Sequence, residues 1–214
     1  MRKFGFFVIG FIVSTFAGAQ EFPSEIWHNG KVVLLSEDTI VGQLKYDFQN
    51  DLVQVNVQNV LQTYSARKLL YFQLYDETIK TNRHFYALPY NVQANYKVPI
   101  LFEALFEGKL SLLCREEIVT ESMPNYNTYP YSYYSYPGNQ YYNQSRTRLK
   151  YTYYFLDQNG EIRMYNLKKN ELMSFFPKYQ QDVKQYIKKN KLEHDSIRDL
   201  VRLTAYYNAL LGDK

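Results

Sequence analysis

WHNGKVVLLSEDTIVGQLKY, residues 27–46, sets two runs of β-prone side chains on either side of the polar group Ser36, Glu37, Asp38 and Thr39. Such a pattern reads as a β-hairpin. On its second arm Ile40, Gly42, Leu44 and Tyr46 fall on one face and Val41, Gln43 and Lys45 on the other. That is the period of two that a half-buried strand requires. Working outward, the polar stretch 47–51 reads as a turn, and Val53, Val55 and Val57 share one face of the next strand. Two more candidates follow at 69–75 and 84–88, and their close spacing favours an antiparallel meander over β-α-β units.

Further along, Ile100, Leu101 and Leu105, with Glu103 and Glu107, suit a short helix within 98–107 that Gly108 would stop. From Lys109 the chain turns strand-like through Leu110, Leu112 and Cys114. Residues 148–155 and 161–165 flank a turn carrying Asn159 and Gly160, a pair that tolerates the positive φ of tight turns, so a second hairpin is expected. The character then changes. Tyr179, Val183, Tyr186 and Ile187 recur with helical spacing after Pro177, and Lys188, Lys189 and Asn190 suit the end of that helix. Ser196 and Asp199 approximate a capping box for another helix, with Ile197, Leu200, Val201 and Thr204 as its buried stripe. Lys184, Lys188 and Lys191 read as a solvated face. The expected class is α+β: an antiparallel sheet body within 20–165, as a meander, sandwich or open barrel, followed by two or three helices within 166–214. A transmembrane barrel suits the aromatic strands, but the chain ends in amphipathic helices and Gly212, Asp213 and Lys214 where a closing strand would be needed.

The N-terminus carries the zones of an export signal: basic Arg2 and Lys3, the uncharged run FGFFVIGFIVSTF at 4–16, and small Ala17, Gly18 and Ala19. The greasy run is shorter than the roughly 20 residues of a spanning helix. Residues 1–19 are therefore expected to be removed between Ala19 and Gln20, leaving no transmembrane segment. The only cysteine, Cys114, is far from that point, which excludes lipidation there and forbids an internal disulfide. It lies in an apolar run and reads as a buried, inert thiol.

Composition narrows the partners. The formal charge of +4 falls to about +2 once Arg2 and Lys3 are removed, too small an excess for a nucleic-acid surface. Tyrosine is the outlier, with 23 residues beside 14 Phe, a composition that favours strands and surfaces for flat, polar partners. Eight of these, Tyr126, Tyr129, Tyr131, Tyr133, Tyr134, Tyr136, Tyr141 and Tyr142, lie within 124–145, a stretch with neither charge nor aliphatic side chain. Such a segment reads as a long surface loop or a disordered insertion. It is a passive insertion, an adhesive element that stacks and hydrogen-bonds to sugars, peptides or surfaces through its phenols, or a self-association segment.

No catalytic motif stands out. His28, His84 and His194 are not spaced as metal ligands, and no nucleophile elbow, phosphate loop or dinucleotide fingerprint occurs, so no cofactor or metal is assigned. Asn143, Gln144 and Ser145 match a glycosylation sequon, relevant only in a eukaryotic secretory route. The reading is a binding or scaffolding protein whose eight loop tyrosines meet an envelope glycan or a protein partner. The alternative is a glycan hydrolase using Glu103, Glu107, Glu116 or Glu117.

Three blocks, GKVVLLSEDTIVGQLKYD at 30–47, LFEALFEGKLSLLCRE at 101–116 and the segment 166–210 that opens NLKKNELMSFF, together resemble a group of uncharacterised exported β-rich proteins of Bacteroidota-type bacteria with a C-terminal helical segment. The resemblance implies a periplasmic or outer-surface location and brings no catalytic residues. The tyrosine-rich stretch lies outside the three blocks.

Overall fold

The computed structural model describes residues 22–93, 96–122 and 145–212. The expected signal segment and the eight loop tyrosines lie outside these residues. A 3-10 turn, Pro23–Glu25, leads into ten described strands: β1 (His28–Leu34), β2 (Thr39–Asp47), β3 (Leu52–Val57), β4 (Val60–Ser65), β5 (Leu69–Asp76), β6 (Thr81–Gln93), β7 (Tyr96–Phe106), β8 (Ser111–Ser122), β9 (Ser145–Leu156) and β10 (Ile162–Tyr165). They form one open antiparallel sheet in the order β10-β9-β8-β7-β6-β5-β1-β2-β3-β4. Helices α1 (Lys169–Leu172), α2 (Gln180–Asn190) and α3 (Ile197–Gly212) follow, so the protein is α+β with a sheet body and a helical tail. None of the described helices is long and apolar enough to cross a membrane.

The local chemistry explains most of the sheet. In β2 the expected inward residues Leu44 and Tyr46 are buried, as are Val53 and Val55 of β3. In the β9–β10 turn the Asp157 carboxylate accepts the N–H groups of Asn159 and Glu161 at 2.9 Å each, and Gly160 takes φ 77°. The Glu161 N–H, then that of Asn159, holds the Asp157 carboxyl below its usual range. Strand β4 was not expected. Gln58 and Asn59 both adopt positive φ and close a two-residue turn between Val57 and Val60, the geometry that matches strand twist.

The expected helix within 98–107 is instead strand β7. Its residues alternate: Leu101 joins the core with Phe72 and Phe85, whereas Ile100 and Phe102 pack with Leu113 and Tyr154 on the opposite face. Pairing with β6 and β8 on both sides outweighs the helical spacing of a short apolar run. Gly108 therefore stops no helix. It lies between β7 and β8, where an added Cβ would come within 2.5 Å of the Asn208 amide oxygen.

The sheet rolls. Gly30 and Gly42 face each other across β1 and β2, and a Cβ on Gly30 would sit 2.2 Å from the carbonyl oxygen of Gln73. The backbones here approach more closely than a side chain allows, which permits tight curvature. β7 and β8 pair as far as Glu103 and Cys114 and then part. The turn after β2 enters that parting: Asp51 Oδ1 accepts the Leu101 N–H at 2.8 Å and an Arg115 N–H at 2.8 Å, and Arg115 also donates to the carbonyls of Leu101 and Phe48. One core, with Leu44, Val53, Phe72 and Phe85, lies inside the roll.

The helices cover the other end of the same face. Phe175, Phe176, Val183, Leu200, Leu203 and Tyr207 pack against Leu112, Cys114, Tyr153 and Phe155. Asn208 extends the strand pattern, accepting the Leu110 N–H at 3.0 Å and donating to the Leu110 carbonyl at 2.8 Å. The buried stripe of α3 is Leu200, Leu203, Thr204 and Tyr207, rotated from the expected one, and Ile197 is exposed. Asp199 does not complete a capping box with Ser196. Its carboxylate accepts the Glu193 N–H at 3.1 Å and so ties the α2–α3 connection to α3.

Candidate functional site

Alternation along β6 places Arg83 on the same face as Phe85, pointing into the roll, where its guanidinium lies 5.0 Å from the Phe85 ring centroid. A cation buried there requires partners. Four strands supply them. Glu103 of β7 takes a two-pronged contact, with Nε and Nη2 each at 2.7 Å from its two oxygens. Nη1 donates to the Tyr46 hydroxyl of β2 at 2.8 Å and to Asp76 of β5 at 3.3 Å, and Nη2 donates to Glu116 of β8 at 3.3 Å. These contacts occupy all five guanidinium N–H donors. The Tyr46 hydroxyl accepts from Arg83 and donates onward to Glu116 in a short hydrogen bond.

Arg83 and Glu116 are each 6% exposed, Tyr46 2% and Asp76 1%, so three carboxylates share one cation in a nearly dry site. Burial raises the Glu116 carboxyl above its usual range, and the charge of Arg83 and the hydroxyl of Tyr46 offset part of that rise. Burial also raises the Tyr46 phenol and the adjacent Cys114 thiol, keeping both protonated. For Arg83 burial acts downward, and the hydrogen bond to Glu103 leads the contributions that overcome it and hold the guanidinium charged.

Tyr46 and Glu116 separate this cluster from a cleft of about 630 Å³ between β2–β3 and β8–β9, which opens where β7 and β8 part. Arg83, Asp76 and Glu103 stay behind that wall. Lys45, Gln49, Gln54, Glu117 and Thr152 bring amide, hydroxyl and charged groups to the opening, with Tyr154 beside them. Beyond the cleft, among the described residues, 116–122 of β8 pair only with 145–151 of β9, because β7 leaves β8 after Cys114 and β10 engages β9 only from Tyr153 onward. The result is a two-stranded ribbon of roughly 20 Å, joined to the sheet at one end. Ser122 and Ser145 are its last described pair, and the tyrosine-rich segment connects the two strands at that end.

Of the four acids considered as catalytic, Glu103 and Glu116 meet at Arg83. Glu107 is elsewhere, accepting from the Tyr86 hydroxyl at 3.1 Å and lying 3.5 Å from His84. Glu117 is exposed and pairs loosely with Lys150 at 3.9 Å. His28 is buried with Nε2 2.7 Å from the Pro23 carbonyl. Among the described residues no group of His, Cys, Asp and Glu is arranged to hold a metal ion. Sequence reasoning missed Arg83, Asp76 and Tyr46 as a unit. The available signal was Arg83 two positions before Phe85, a charge on an inward-facing register. Comparison of the chain with family models, curated proteins and solved structures gives no match.

Proposed function

We propose that this chain is an exported envelope protein with a binding role, in which the β8–β9 ribbon presents the tyrosine-rich segment to an envelope glycan. The observation that carries this reading is the Ser122–Ser145 pair, which places both ends of the segment at the far end of a ribbon whose two edges pair with no other described strand. A short stretch dense in phenols and free of charge offers stacking faces and hydroxyls suited to sugar rings. The N-terminal zones, Arg2 to Ala19, support the export half of this reading. Mass spectrometry of protein from the native envelope is expected to give a chain starting at Gln20, and an intact Met1 would contradict export with cleavage. Purified wild type is expected to be retained on peptidoglycan or cell-surface polysaccharide. A form with 124–144 replaced by a short Gly/Ser turn is expected to fold and to lose most of that retention.

A second reading, a glycan hydrolase, draws on Glu116, which lines the cleft with a raised pKa. It requires release of reducing ends from a polysaccharide by wild type and not by Glu116→Gln. The binding reading has the stronger support, because Glu103 is gripped by Arg83 behind the wall, Glu116 is itself held by Tyr46 and Arg83, and the other carboxylates lining the cleft are engaged elsewhere, Asp47 by the N–H groups of Gln49 and Asn50, Glu25 by that of Phe22 and Glu117 loosely by Lys150.

A further inference from the structure

A second concavity of about 580 Å³ lies among the helices, away from the cleft and the ribbon. Its floor is apolar: Leu172 and Met173 from α1 and the turn after it, Ile187 from α2, Leu192, and Leu203 from α3. Its rim is cationic. Lys184, Lys188 and Lys191 stand on one side and Lys169 on another, with Glu193 and His194 completing the lining. None of the four lysines takes part in an ion pair among the described residues.

Helix stability does not account for this arrangement. Lysines at the end of α2 meet the negative end of the helix dipole, which suits Lys188 and Lys191. Lys184 sits in the middle of α2, and like charges four apart oppose the helix by a few tenths of a kcal/mol. Lys169 belongs to a different helix altogether. Four lysines lining one concavity from two elements around an apolar floor suit a ligand that is greasy along its length and anionic at one end. The volume is within the range of small-molecule sites.

We propose that this groove binds a free fatty acid, its acyl chain along Leu172, Met173, Ile187, Leu192 and Leu203 and its carboxylate among the lysines. The site is separate from the ribbon, and its occupation does not depend on the glycan-binding reading. The test uses the whole mature chain and a fluorescent polyene fatty acid, cis-parinaric acid. Saturable binding is expected, with palmitate displacing the probe and 1-hexadecanol, which lacks the charge, at least tenfold weaker as a competitor. The triple variant Lys184→Gln, Lys188→Gln, Lys191→Gln changes only exposed side chains and is expected to keep the wild-type thermal midpoint while binding the probe at least tenfold more weakly. Absence of saturable binding, equal competition by the alcohol, or wild-type affinity in the triple variant would each overturn the proposal. So would lysine-dependent binding to phosphatidylglycerol vesicles without binding of the monomeric acid, which would assign the face to a membrane surface, or salt-sensitive self-association through it.

Discussion

The Tyr46 hydroxyl on β2 donates to the Glu116 carboxylate on β8, although four strands of the sheet lie between these two. The contact exists because the sheet rolls until its β2 and β8 regions meet across the interior. Arg83 lies at that meeting point and ties β2, β5, β7 and β8 together through one guanidinium.

Replacing Arg83 with Leu leaves Asp76, Glu103 and Glu116 buried without their cation. Loss of one partner from a buried ion cluster typically costs 3 to 5 kcal/mol, so Arg83→Leu is expected to unfold at much lower urea or not to accumulate as folded protein. Arg83→Lys is expected to rescue little, because an ammonium cannot reproduce the two-pronged contact with Glu103. Wild-type stability in either variant would refute the cluster as the tie between strands.

Glu116 gives the stability a pH dependence of definite sign. Its folded pKa lies above the unfolded value because of burial, so the folded state binds the proton more tightly. The contribution is present below the unfolded pKa and declines as pH rises through the folded one. Urea unfolding across that window is expected to show wild type losing stability relative to Glu116→Gln as pH increases. A constant difference, or one of opposite slope, would show that Glu116 is not destabilised by burial.

Leu200 is 1% exposed and packs in the core beneath the helices. Leu200→Ala is expected to cost about 2 to 4 kcal/mol, as for other buried leucines. An unchanged unfolding midpoint would mean that α3 does not stabilise the sheet.

The sheet was legible wherever one face is buried and the other wet, as with Leu44 and Tyr46 or Val53 and Val55. β4 was not, because Val60 and Leu61 face solvent at the sheet edge and its turn, Gln58 and Asn59, contains no glycine. β7 resisted reading for the opposite reason. Both of its faces are buried along Ile100, Leu101 and Phe102, so no alternation marks it as a strand. The cluster at Arg83 was hidden for a third reason: its members lie far apart in sequence, and only the roll brings them together. In α3 the expected stripe holds at Leu200 and Thr204, with Val201 packed against the same core, and fails at Ile197, which is exposed in the first turn.

The most direct test of the binding role is retention on purified envelope glycan by wild type and by a variant with the eight tyrosines from Tyr126 to Tyr142 changed to serine. The substitutions keep the hydroxyls and the length of the segment and remove the aromatic faces. The account predicts that the variant keeps the wild-type unfolding curve and loses most of its retention. Equal retention by the two proteins would contradict it and leave the ribbon carrying a passive insertion.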